Sequence, residues 1–142
     1  MKSIILIICS ILLFAFSCEK KEDQESFPEE QIVGQWNWQY SIYYYTQSGK
    51  PYILNPDTLG FYTQYIFNRD GEYKVLRNET NDAEGIYWFE AIKYDKGEYS
   101  PLRLFTQQDN YVKSVNFEIN ADTLILDETE VDGPKRVFVR IR

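Results

Sequence analysis

The chain contains no histidine, and its two cysteines, Cys9 and Cys18, both lie near its start. Histidine is the usual general base near neutral pH and the commonest metal ligand. Its absence, with no cysteine after Cys18, excludes zinc sites and Cys-His or Ser-His catalysis from the region that follows. Carboxylates are abundant, but no particular pair stands out for glycoside cleavage. We therefore expect a protein that is not an enzyme and that uses no metal and no cofactor.

Long apolar runs are equally scarce, since the single one covers residues 4–16. It follows a basic start at Lys2 and ends beside the small residue Ser17. A basic start, an apolar run and small residues at the cut describe a secretory signal peptide. The run is too short for a comfortable transmembrane helix, which needs about 20 residues. We expect residues 1–17 to be removed.

The end of this segment, Ala15-Phe16-Ser17-Cys18, resembles the lipobox of bacterial lipoproteins, although Phe16 departs from its commonest form. The resemblance implies that Cys18 carries diacylglycerol and anchors the chain to the outer membrane. Residues 18–30 then form the lipidated cysteine and a flexible acidic tether. Within it, residues 21–23 resemble the signal that sends some Bacteroidetes lipoproteins to the cell surface, and a solvated charge run explains them as well.

Positive charge is in deficit, with 15 basic residues against 22 acidic ones and a net charge of −7. Such a surface repels nucleic acid phosphates, so no nucleic acid partner is expected. It also repels anionic lipid head groups, so a lipid chain must supply the membrane anchor. The net charge does not decide whether the protein has a protein or glycan partner.

Aromatic residues, in contrast, make up 17% of the chain and favour sheet over helix. Apolar and polar residues alternate over residues 35–44, the period of a strand with one buried face. Asp70-Gly71 is a tight hairpin signal. The same patterns predict eight strands in all, at about residues 35–44, 60–67, 72–77, 85–94, 102–106, 111–119, 123–126 and 135–142.

The predicted loops differ in length along the chain. Residues 46–58, 78–84 and 127–134 form long loops, whereas most of the others are tight turns. In an up-and-down arrangement, the long loops share one end and the tight turns the other. The sequence therefore predicts an all-β domain over residues 31–142, an eight-stranded antiparallel up-and-down barrel that is open at one end.

Gly34-Gln35-Trp36, at the start of the first strand, resembles the Gly-x-Trp motif of lipocalins. The segments at residues 67–73 and 85–87 are similar to those of lipocalin-like lipoproteins of Bacteroidetes. The resemblance implies that Gly34 and Trp36 close the barrel floor and that Arg140, or Arg142, packs over the tryptophan. It also implies a cup-shaped barrel that binds a small apolar molecule.

Several side chains would lie near the open end if the strands alternate in direction. They combine aromatic faces with two cations, which suits an amphipathic ligand with an acidic head, although ordinary rim residues explain them equally well. These candidate ligand-binding residues are Tyr44, Arg77, Trp88, Phe105, Tyr111 and Lys113.

An alternative function rests on the aromatic cluster of Tyr43, Tyr44, Tyr45 and Tyr52 at the first long loop. An exposed patch of this kind favours a non-catalytic surface module that contacts glycan or protein. A cavity of a few hundred Å³ inside the barrel would favour the small-molecule function, and a filled interior the alternative.

The acidic loop over residues 127–134 is predicted to be a solvated turn. Its carboxylates do not follow EF-hand spacing, which needs Gly at the sixth position and Glu at the twelfth. No calcium site is therefore expected there.

Replacing Cys18→Ala should leave an uncleaved or soluble protein, because the acceptor of the lipid is lost. Incorporation of radiolabelled fatty acid measures the modification directly. Equal labelling of the variant and the unchanged protein would show that Cys18 is not the lipidated residue.

Overall fold

The structure, a computed structural model, describes residues 27–44, 50–93, 97 and 99–142. The predicted signal peptide, the predicted lipidation site Cys18 and most of the predicted tether lie outside these residues. No helix in the described part of the chain combines the length and the apolar character needed to cross a membrane.

Nine strands and three short helical segments make up the described chain. The first helix begins at Pro28, within the predicted tether. In chain order the elements are α1 (Pro28–Ile32), β1 (Gly34–Tyr43), β2 (Tyr52–Leu54), α2 (Pro56–Leu59), β3 (Thr63–Phe67), β4 (Glu72–Arg77), β5 (Thr80–Lys93), β6 (Tyr99–Gln108), β7 (Tyr111–Asn120), β8 (Thr123–Asp127), a 3-10 turn (Thr129–Val131) and β9 (Lys135–Arg140).

The strands form one antiparallel sheet that closes on itself, because β1 pairs with β9 along one edge and with β3 along the other. The predicted all-β class is confirmed. The predicted number of eight strands is wrong, since β2 lies within the predicted loop over residues 46–58. Strand β3 pairs with β1 only as far as Asn37, and β2 pairs with Ser41–Tyr43 on the edge that β3 leaves.

The predicted long loop over residues 78–84 is also wrong. Strand β4 turns into β5 through Asn78 and Glu79 alone, both with positive φ, as tight hairpin turns require. Residues 80–84 extend β5 at the rim of the ring. Their polar side chains are exposed, and only the apolar Ala83 is partly buried. Their polarity resembled that of a loop because little of this segment faces the core.

The two ends of the ring differ. The mouth carries β2, α2 and the connection over residues 128–134, together with the turns at residues 78–79 and 109–110. The floor carries α1 and the turns at residues 68–71 and 121–122. The largest fully buried side chains are Ile32, Trp36, Phe67, Leu104, Leu124 and Phe138.

The floor is held by Trp36 and Arg140. The Trp36 indole donates a 2.7 Å hydrogen bond to the carbonyl of Ile32 in α1, and the Arg140 guanidinium lies 4.1 Å from the indole ring centre. Arg140 also donates to the carbonyl oxygens of Val33, at 2.7 Å, and of Gln31. A Cβ on Gly34 would lie 2.8 Å from an Arg140 nitrogen, so glycine leaves room for the guanidinium.

A β-bulge in β1 changes which face its residues present. The register with β9 shifts between Trp38 and Tyr40, so Trp38 and Ser41 are buried while Tyr40 is 36% exposed. The continuous alternation expected from Trp36 to Tyr44 therefore breaks at the bulge. Beyond it, Tyr43 rather than Tyr44 faces the interior cavity.

Trp36→Ala should lower the free energy of unfolding by about 3–5 kcal/mol, because it removes a fully buried aromatic side chain. Denaturant unfolding followed by circular dichroism measures this loss. Trp88→Ala is the matched control, since Trp88 is only partly buried on the outer face. Similar losses in the two variants would contradict the assignment of Trp36 to the floor.

Candidate functional site

The interior of the ring is not filled at its mouth. A cavity of about 260 Å³, here the mouth cavity, opens there. Aromatic rings from four segments meet two arginines in its wall. Its lining includes Trp38, Tyr43, Phe61, Tyr65, Phe138, Arg77 and Arg136.

A second cavity of about 170 Å³ adjoins the first, because Tyr65 and Val75 line both. Its wall includes Thr106 of β6 together with Tyr111 and Lys113 of β7. The unfilled space therefore extends across the ring from β1 and β9 to β6 and β7. Together the two cavities offer apolar walls with cationic groups on two sides.

A buried carboxylate joins the cations of the mouth. Glu128 is 7% exposed. Its carboxylate accepts hydrogen bonds from Lys113, at 2.6 Å, and from Arg136. Burying a carboxylate is tolerated when it is paired in this way. The prediction of a solvated turn over residues 127–134 is therefore wrong at Glu128.

The loop after β8 is folded around this carboxylate. The backbone N–H of Gly133 donates a 2.9 Å hydrogen bond to the carbonyl of Glu128. The backbone N–H of Glu128 donates a 3.2 Å hydrogen bond to the carbonyl of Pro134. A Cβ on Gly133 would lie 2.5 Å from the Cβ of Glu128 and 3.1 Å from its carboxylate. Glycine at residue 133 therefore leaves room for the side chain of Glu128, which a larger residue would displace.

Arg77 supplies a further positive charge at the end of β4. It pairs with Asp82 at 2.9 Å and lies 4.9 Å from the ring centre of Phe61. Across the two cavities, the cations Arg77, Arg136 and Lys113 face the carboxylates of Asp82 and Glu128. Among the described residues, the lining holds these three cations and Asp82, and with Glu128, which pairs with two of them behind the lining, one positive charge remains in excess.

Tyr65 lies between the two cavities. Burial raises the pKa of its phenol above the ordinary value, and the nearby guanidinium of Arg136 offsets part of that effect. The phenol is therefore neutral at physiological pH and keeps its proton for donation. Burial also raises the pKa of Tyr73, an effect that a hydrogen bond with Thr106 reduces.

The structure brings together only part of the predicted ligand-binding set. Arg77 lines the mouth cavity, and Tyr111 and Lys113 line the adjoining one. Tyr44 is 45% exposed after the end of β1 and lines neither cavity.

Trp88 and Phe105 lie outside the ring. Their rings stack on each other at 5.3 Å, while their chain neighbours Tyr87 and Leu104 are in the core. Both faces of this part of β5 carry aromatic residues, so alternation alone did not decide which face points inward. The structure places this pair away from the two cavities.

Sequence reasoning missed Arg136, Glu128 and Phe61 as residues of the site. Arg136 lies two residues before the buried Phe138 on the same strand, so the alternation of β9 could have placed it inside. No comparable signal marked Glu128, which stands among three other acidic residues.

The acidic loop shows no arrangement suited to a metal ion. In the part of the chain that the structure describes, no three Asp or Glu residues come close enough together to hold one. Asp127 instead accepts hydrogen bonds from the backbone and hydroxyl of Thr129. These bonds contribute to lowering the pKa of Asp127, against the effect of burial, which raises it.

The aromatic cluster of the first connection is described only in part, since Tyr45 lies outside the described residues. Tyr43 and Tyr52 stack with their ring centres 4.9 Å apart and their planes within 4°. Tyr52 is also exposed, and Tyr43 reaches the mouth cavity. The stack thus borders both solvent and the ring interior.

Comparisons with family models, with curated proteins and with solved structures find no match for this chain. Fold and function must be argued from its own residues.

Glu128→Gln should lower the free energy of unfolding by about 2 kcal/mol, because two partly buried cations lose their charged partner. Glu84→Gln is the control, since the Glu84–Lys74 pair is exposed and 3.9 Å long and such pairs contribute about 0–1 kcal/mol. Urea unfolding monitored by tryptophan fluorescence compares the two. Equal losses would show that Glu128 is not the centre of a buried cluster.

Proposed function

We propose that this chain is a lipid-anchored, lipocalin-like barrel that binds a small amphipathic molecule with an anionic head group. The observation that carries the proposal is the unfilled mouth, with its cavity of about 260 Å³ and its excess of positive charge. The Gly34-Gln35-Trp36 motif with Arg140 over the indole supports the family resemblance. The lipobox-like sequence before Cys18 supports the anchor.

The apolar part of the ligand fits the space between Phe61, Tyr65 and Phe138. Such walls favour binding through loss of hydrated apolar surface. The volume is slightly below the range of about 300–1,000 Å³ that is common for ligand pockets. A slender chain or a single ring system therefore suits the site better than a large fused ring system.

The anionic head fits beside Arg77 and Arg136. A guanidinium offers several N–H donors in one plane, which matches a carboxylate or phosphate better than an ammonium does. The protonated Tyr65 hydroxyl adds a neutral donor within the same wall. Each arginine already has one carboxylate partner, Asp82 for Arg77 and Glu128 for Arg136, so the head group binds to the N–H donors that these pairs leave over.

A second candidate is a non-catalytic surface module that contacts protein or glycan. The exposed Tyr52, stacked on Tyr43, favours it because a rigid aromatic pair suits a contact surface. The unfilled interior favours the first proposal over this one.

A slender fluorescent fatty acid, cis-parinaric acid, tests the proposal by titration. We expect micromolar affinity, or about 8 kcal/mol of binding free energy. Phe61→Ala and Arg77→Met should each weaken binding about tenfold, or 1.4 kcal/mol, because one removes apolar wall and the other a cation. The methyl ester of the probe should bind more weakly than the acid.

Trp88→Ala is the control for this titration, because Trp88 lies on the outer face and should leave the affinity unchanged. If the probe does not bind, or if Trp88→Ala weakens it as much as Phe61→Ala, the interior is not the site. The surface module then becomes the better proposal.

A further inference from the structure

A separate cleft of about 600 Å³ lies outside the ring, between β1 and β3. Its walls come from four segments of the chain and are mostly polar. The residues that line it are Asn37, Trp38, Gln39, Asn55, Pro56, Asp57, Tyr62, Thr63, Gln64, Asn78 and Glu79.

The cleft exists because β1 and β3 part. Their pairing ends at Asn37 opposite Gln64, and β2 takes over the same edge of β1 only from Ser41. In the described chain, residues 38–40 therefore face this side without a strand partner. Trp38 and Thr63 line the cleft and also the mouth cavity, so they separate the two spaces.

Hydrogen bonds fix the walls of the cleft. The backbone of Tyr62 donates to the side chain of Asn78 at 2.9 Å, and the backbone of Asn78 donates to the carbonyl of Tyr62 at 3.0 Å. On another wall, Asn55 and Thr58 exchange hydrogen bonds of 2.9 and 3.0 Å that begin α2. The cleft is thus formed before any ligand enters, which reduces the entropic cost of binding.

The floor of the cleft carries two amide side chains. Asn37 and Gln64 are opposite each other in the β1–β3 register, so their Cβ atoms are about 5 Å apart. Within the described chain, neither amide group hydrogen-bonds to another residue. Each offers two N–H donors and one acceptor oxygen.

This set of groups selects a neutral ligand rich in hydroxyls. A hydroxyl donates and accepts, as the two amides do, so vicinal hydroxyls can satisfy both at once. Among the residues that the structure describes, no lysine or arginine lines the cleft, and the exposed Asp57 and Glu79 repel anions. Tyr62, 67% exposed, adds a flat apolar face on which the C–H face of a sugar ring can pack.

We propose that the cleft between β1 and β3 binds a neutral oligosaccharide, at a site distinct from the ring interior. Asn37 and Gln64 bind the hydroxyls, and Tyr62 packs against a ring. The site requires neither the interior ligand nor the lipid anchor.

Isothermal titration with maltohexaose, cellohexaose and xylohexaose tests this proposal. At least one should bind with a Kd of about 1 mM or lower. Tyr62→Ala and the double variant Asn37→Ala/Gln64→Ala should each weaken that binding by about tenfold or more. Both changes lie on the outer surface, so circular dichroism should show an intact fold.

Two matched controls locate the site. Tyr52→Ala removes an exposed tyrosine of the aromatic stack, and Asn116→Ala removes an outward amide of β7 on the far side of the ring. Both should bind the saccharide normally. Loss of binding in Tyr52→Ala but not in Tyr62→Ala would place the glycan on the aromatic stack and overturn the proposal.

Two further outcomes would overturn it. One is the absence of binding by all three saccharides. The other is that Tyr62→Ala weakens the binding of cis-parinaric acid and not that of a saccharide. That result would make the cleft a side entrance to the mouth cavity. If the fatty acid binds and no saccharide does, the proposed function of the interior is retained and only the proposed saccharide site in the cleft is rejected.

Discussion

Both edges of strand β1 carry backbone N–H and C=O groups that need hydrogen-bond partners, and the rest of the structure depends on which strands supply them. One edge pairs with β9 and closes the ring, while the other pairs first with β3 and then with β2. Because β3 leaves at Asn37, the sheet opens between these partners. The outer cleft lies in that opening, and the mouth cavity lies behind Trp38 on its inner side. Two spaces of different chemistry therefore arise from one departure in strand pairing.

Charge separates these two spaces as clearly as position does. Inside the mouth, Arg77 and Asp82 neutralise each other, whereas Lys113 and Arg136 share the single carboxylate of Glu128, so one positive charge remains in excess. Outside, the described lining of the cleft has amides and carboxylates and no cation. Electrostatic attraction favours anions in the first and disfavours them in the second. A chain with a net charge of −7 thus has a local excess of cations where Arg77 and Arg136 line a cavity with aromatic rings.

Sequence patterning was most informative where one face of a strand is buried. The apolar periodicity predicted the all-β class, and the Asp70-Gly71 turn signal predicted the hairpin. The role of Trp36 at the floor was an expectation from the family resemblance alone. The periodicity failed where it is interrupted or where both faces are apolar. The bulge after Trp38 turned Tyr43 rather than Tyr44 inward, and aromatic residues on both sides of β5 concealed the outward position of Trp88. Glu128 was unpredictable for another reason, because its burial depends on cations from β7 and β9 that only the folded chain brings to it.

The contacts of Arg140 also constrain the order in which the chain folds. Its guanidinium binds carbonyls of Gln31 and Val33, which are 109 and 107 residues away along the chain. Such distant contacts cost loop-closure entropy before they contribute any stability, so folding of this topology is slow compared with that of helical domains. Until β9 docks, β1 and β8 each present an unpaired edge to other chains, and unpaired edges are sites of aggregation. Strand β9 therefore converts an open, association-prone sheet into a closed ring in which β8 has no free edge.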